Sequence, residues 1–121
     1  MLVATCAASN FLGTALAASD SPAQIAESIR ASLMQAQLSL SDNQNASALL
    51  VKDAETAYQT ELSGLISVFN PDAHLRVLSA FEILADSAAR GDVASFAAAR
   101  AQVWTGILAG SYAIVEDAIQ T

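Results

Sequence analysis

The sequence predicts an all-α fold, an up-down-up-down four-helix bundle preceded by an apolar N-terminal leader segment. Three observations carry that prediction. Hydrophobic residues make up 54% of the 121-residue chain and charged residues only 14%, which excludes intrinsic disorder, and much of the apolar share is helix-favouring alanine. Apolar side chains recur every three or four residues in four separate stretches, and no stretch shows the two-residue alternation of a strand. Short runs of turn and capping residues separate the stretches, so that consecutive helices become antiparallel neighbours.

Residues 1–19, "MLVATCAASNFLGTALAAS", carry no charge and end in Ala15-Leu16-Ala17, an A-x-A pattern suited to a signal peptidase. They read as a secretory leader, cleaved or truncated, with the domain at residues 20–121 lying outside the cytoplasm. No Lys or Arg precedes the apolar run, which a start codon assigned too far downstream explains. An ordinary apolar helix and a lipoprotein signal at "LVATC" are the alternatives. The sole cysteine, Cys6, allows no intrachain disulfide and no Cys-based zinc site.

The first helix follows from Ser21-Pro22-Ala23-Gln24: a serine cap, a proline at the first helical position and a glutamine that closes a capping box. Ile25, Ile29, Leu33, Ala36 and Leu40 then form one stripe over residues 22–40. "SDNQNAS", residues 41–47, is polar and turn-prone and reads as a loop. Val51, Ala54, Tyr58, Leu62, Leu65 and Phe69 carry the second helix until Asn70-Pro71 interrupts it. Asn70 caps a third helix with inner residues His74, Leu78, Phe81, Ala85 and Ala88, flanked by Val77 and Leu84. Gly91 ends that helix and Asp92 caps the fourth, whose stripe is Val93, Phe96, Val103, Ile107, Gly110 and Ile114.

A rotation of about 100° per residue places Arg100 within the fourth apolar stripe. A charge facing a core must be paired or must reach water along its own aliphatic stem. Glu55 is the first candidate partner, Glu82 the second, and snorkelling the alternative. Glu82 and Asp86, four residues apart, share one helical edge and can offer oxygen ligands to a cation, although Arg90 competes for Asp86. His74 lies on the inner side of the same helix. His74, Glu82, Asp86 and Glu55 are therefore the candidate ligands for a metal cation. No E-x-x-H motif of the di-iron bundles is present. Trp104, Tyr58 and Tyr112 read as packing or rim residues. Gly106 and Gly110 have a close-approach spacing, but Arg100, Gln102, Glu116 and Asp117 argue against a membrane span and for tight soluble packing.

The formal charge of −7, from twelve acids and five bases, excludes nucleic acid as a partner because a basic footprint is missing. One histidine, one leader cysteine and no glycine-rich phosphate loop leave no nucleophile and base arrangement, so no enzymatic activity is expected. Haem attachment lacks its paired histidines.

Three stretches carry a family resemblance: "AYQTELSGLISVFNPD" at residues 57–72, "LSAFEILADSAARGD" at 78–92 and "ARAQVWTGILAGSYAIVEDAI" at 99–119. Their order resembles the N-terminal extracytoplasmic helical domain of bacterial high-affinity iron permeases of the oxidase-linked type. In that family such a domain precedes a multi-spanning permease whose iron-carrying signature is Arg-Glu-x-x-Glu. The signature is missing from this chain, so the iron-carrying residues map to no position in it. The resemblance implies a contribution to iron ion transport from the periplasmic or extracellular side of the membrane. It also implies a membrane permease portion or another cell-envelope protein as partner, with iron ions as cargo. "EDAIQT" holds no helix-ending signal, which fits a fragment of a longer membrane protein. The competing expectation is a structural or protein-interaction bundle of the cell envelope with no metal role.

Overall fold

The computed structural model describes residues 21–120, so the leader at residues 1–19, with Cys6, lies outside the described residues. The elements are α1 (Pro22–Ser39), α2 (Gln44–Ala57), a π-helical segment (Tyr58–Leu62), α3 (Ser63–Phe69), α4 (Pro71–Arg90) and α5 (Val93–Gln120). Because α2, the π segment and α3 follow one another without a break, they form one rod. The described residues thus make four rods and no strand. Each rod packs on the next, and α5 closes the ring against α1; α3 also touches α5 across the diagonal, while the backbones of α1 and α4 stay apart. Arg30 lies over Trp104 and Gln37 reaches Arg100, so α1 and α5 run in opposite directions, as an up-down-up-down bundle requires.

The ends of the rods are set by local chemistry. The Gln24 amide donates to Ser21 Oγ (3.2 Å) and the Ser21 amide to Gln24 Oε1 (2.9 Å), completing the predicted capping box. Asn70 Oδ1 accepts from the Ala73 amide (3.1 Å) with Pro71 at the first helical position. Gly91 takes the left-handed conformation (φ 68°) that a side chain resists, and the Asp92 amide closes back on the Ser87 carbonyl (2.9 Å). The loop before α2 is shorter than expected. Asn43 caps at the Ala46 amide (3.0 Å), so residues 44–47 join the helix and Ser47 is buried.

All five stripe residues of α1 are buried as expected, and each of its larger side chains contributes about 1.5–3 kcal/mol through burial. The second rod departs from its expected phase after Leu62. The Ser63 amide reaches the Tyr58 carbonyl, five residues back, and the Ser63 hydroxyl donates to the Gln59 carbonyl (2.7 Å) that it would take in an α-helix. That wider turn carries the inner face from Tyr58 and Leu62 to Ile66, leaving Leu65 and Phe69 partly exposed instead of buried. The α4 stripe is also displaced. Ala73, Val77, Ala80, Leu84 and Ser87 are buried, whereas His74 and Leu78 are half-buried and Ala85 is exposed.

Close approach to α5 explains the α4 displacement. A Cβ on Gly106 would lie 2.5 Å from Val77 Cγ2 and 3.3 Å from the Ala73 carbonyl, so the small residue lets α4 turn its Ala73 and Val77 edge inward. A Cβ on Gly110 would lie 2.6 Å from Ile66 Cγ2 and thereby marks the diagonal contact with α3. The glycine pair thus serves two different rods. Beyond Gly110, α5 leaves Tyr112, Val115 and Ile119 exposed, and Val93 at its other end is exposed too.

Candidate functional site

The four residues expected to hold a metal are not gathered. Asp86 Oδ2 accepts from Arg90 Nε (2.9 Å), and Arg90 Nη1 also donates to Asp92 Oδ2 (3.1 Å). These bonds keep the guanidinium more firmly protonated than usual, Asp86 contributing most. Glu82 is exposed on α4, Glu55 is half-buried on α2, and His74 is engaged by Tyr58. Among the described residues no three of the His, Cys, Asp and Glu side chains form a group that could hold a metal ion. Helical spacing brought Glu82 and Asp86 to one edge, but the rods do not bring a third ligand to them. Asp92 serves the fold: the Ser95 amide and then the Ser95 hydroxyl hold its carboxyl below the usual range while it caps α5.

Where the wider turn redirects the second rod, Tyr58 enters the core with none of its surface accessible. Its hydroxyl and His74 Nδ1 share a hydrogen bond of 2.9 Å, the two rings lie stacked at 5.9 Å, and Phe81 stands 6.1 Å from the phenol. Burial pushes the Tyr58 phenol up to about 12. The pair satisfies one polar group with another inside the bundle, which is a packing role. π segments often accompany functional sites; here the segment sets the Tyr58 phenol against the His74 imidazole of α4.

Arg100 meets neither Glu55 nor Glu82. Its Nε donates to Gln37 Oε1 on α1 at 2.7 Å, and no ion pair reaches it among the described residues. The physical reason is topological: Arg100 faces the seam between α5 and α1, while both acids belong to the other two rods. A neutral amide therefore holds a half-buried cation. Beside it the seam opens into a pocket of about 240 Å³, lined by Ile29, Leu33, Val103 and Trp104 together with Arg30 and Arg100. Arg30 stands 5.4 Å from the centre of the Trp104 ring and pairs with Glu27 at 3.0 Å. Gln37 gave no signal in the sequence, because an uncharged side chain sixty-three residues away has no local pattern that ties it to Arg100.

No helix among the described residues is long and apolar enough to cross a membrane. No curated protein and no solved structure matches the chain significantly. The family described as iron permease FTR1 N-terminal domain matches residues 18–121, which includes all four rods. Its span contains the three stretches at residues 57–72, 78–92 and 99–119. The chain belongs to the family of iron permease N-terminal domains.

Proposed function

We propose that this domain serves iron uptake on the extracytoplasmic side of the membrane, presenting an acidic surface that concentrates iron cations for a membrane permease portion. The family match over residues 18–121 is the observation that carries this reading. The charge distribution supports it. The second rod and α4 carry Asp53, Glu55, Glu61, Asp72, Glu82 and Asp86 against the bases Lys52, Arg76 and Arg90, whereas α1 sets Glu27 against Arg30 and α5 sets Glu116 and Asp117 against Arg100. A surface of net negative charge raises the local concentration of counter-ions without coordinating them in a fixed cage. Iron is thus cargo held loosely, translocation belongs to the permease portion, and the domain catalyses nothing.

The test is iron uptake by the whole permease carrying Glu55→Gln, Glu61→Gln and Glu82→Gln together. The apparent KM for iron is expected to rise severalfold with the maximal rate unchanged, and the difference is expected to vanish at high ionic strength, where the surface field is screened. Uptake that is indifferent both to these changes and to removal of the domain overturns the proposal. One observation favours a second reading, a protein-interaction bundle without a metal role: Leu108, Tyr112, Val115 and Ile119 are all exposed and recur at helical spacing along α5. In that case removal of the domain lowers permease abundance or maximal rate, while the neutralised variant behaves as the parent.

A further inference from the structure

We infer that the seam between α1 and α5 is a binding site for a small organic carboxylate with an apolar body, anchored by Arg100. The inference stands apart from the iron reading, since it concerns an anion and uses the other side of the bundle. Arg100 is held by one hydrogen bond, from Nε to Gln37 Oε1 at 2.7 Å, which ties the Nε edge of the guanidinium to α1. Its terminal nitrogens make no hydrogen bond or ion pair among the described residues. A half-buried guanidinium held at its Nε edge, with its terminal donors unused, is complementary to a carboxylate, which it can grip through two parallel N–H···O bonds.

The surroundings supply the rest of the site. Ile29, Leu33 and Val103 are buried apolar side chains that also line the pocket, and Trp104 adds an aromatic wall. Arg30 lies over that ring and adds a second positive charge at the pocket, partly offset by Glu27. In a chain of net charge −7 these are two of only five basic residues, and Glu27 is the sole acid of α1. On α5 the acids stand in the last turns, sixteen residues or more beyond Arg100. The pocket is therefore locally positive on an otherwise acidic protein. At about 240 Å³ it is smaller than the usual drug-sized cavity, so its occupant is a short-chain or single-ring acid.

Trp104 is the only tryptophan, so its fluorescence reports the pocket directly. The full chain is titrated with hexanoate and with cyclohexanecarboxylate, and in parallel with the neutral amides of both. Saturable changes with the acids, weaker by about tenfold or more with the amides, are expected from loss of the charge-assisted bonds. Arg100→Gln is expected to weaken acid binding to the level of the amides, Arg100→Lys to restore part of it, and Arg76→Gln on α4 to leave it unchanged. Methyl NMR shifts are expected at Ile29, Leu33 and Val103. Equal affinity for acids and amides, binding by Arg100→Gln at parental strength, or shifts confined to other parts of the bundle overturns the inference. Because the NMR map and the amide comparison use the unmodified chain, they decide the matter even if an Arg100 variant folds poorly.

Discussion

Tyr58 is the residue in which core, polar pairing and titration meet. A phenol without accessible surface loses the solvation that would stabilise its anion, so the folded protein holds its proton to about pH 12. An unfolded tyrosine releases its proton near pH 10. Between those values the folded state binds more protons than the unfolded one. Stability from this group is therefore complete below pH 10 and declines as pH rises towards 12. In a Tyr112→Phe variant Tyr58 is the sole phenol, because the chain has two tyrosines. Its phenolate absorbance is expected to rise near pH 12 in the folded protein and near pH 10 in concentrated urea. A folded-state transition at the lower value would mean that water reaches the ring. His74, a candidate ligand from sequence, is bonded through Nδ1 to the same phenol.

Among the elements, the glycines of α3 and α5 separate helix propensity from packing. Gly64 is exposed and a Cβ there would meet nothing within 4 Å, so Gly64→Ala is expected to stabilise the protein by about 0.5–1 kcal/mol through propensity alone. Gly106→Ala gains the same propensity but drives a methyl into Val77 and towards the Ala73 carbonyl. Overpacking of a tight contact costs about 1–3 kcal/mol, so a net loss of about 1–2 kcal/mol is expected. Urea unfolding of the two variants checks both signs. Rod ends were legible in the sequence because Ser21 with Gln24, Asn70 with Pro71, and Gly91 with Asp92 act within a few residues of themselves. The phase of the second rod was not. The π segment adds a wider turn that no residue between Tyr58 and Leu62 announces, and a constant helical period then assigns Leu65 in place of Ile66. The α4 stripe is displaced for a related reason: spacing alone does not choose between Leu78 and its flanking Val77, and close approach by Gly106 turns Ala73 and Val77 inward.

At the scale of the whole molecule, what the sequence conceals is how charge is shared among rods, since that depends on which faces meet. Arg100 was legible as an inward charge, yet its position at the α1–α5 seam separates it from the carboxylates of the other rods. Those carboxylates have few cations to offset them, and two of the ion pairs the described residues do make are taken by one arginine, Arg90. Exposed pairs of this kind contribute only about 0–1 kcal/mol each. Repulsion within the acidic side should therefore dominate the electrostatic balance of a chain with net charge −7. Raising ionic strength from about 0.01 M to about 0.15 M shortens the screening length from roughly 30 Å to roughly 8 Å. The melting temperature is accordingly expected to rise with sodium chloride, and 1 kcal/mol of relieved repulsion corresponds to about 4–8 °C in a domain of this size. Combined Glu55→Gln, Glu61→Gln and Glu82→Gln should raise the melting temperature at low salt and flatten its salt dependence. The same substitutions are those expected to weaken iron recruitment, so one field would then be seen both to cost stability and to gather cations. A melting temperature that falls with salt would show that attraction prevails, and would remove the electrostatic basis for the acidic surface's role.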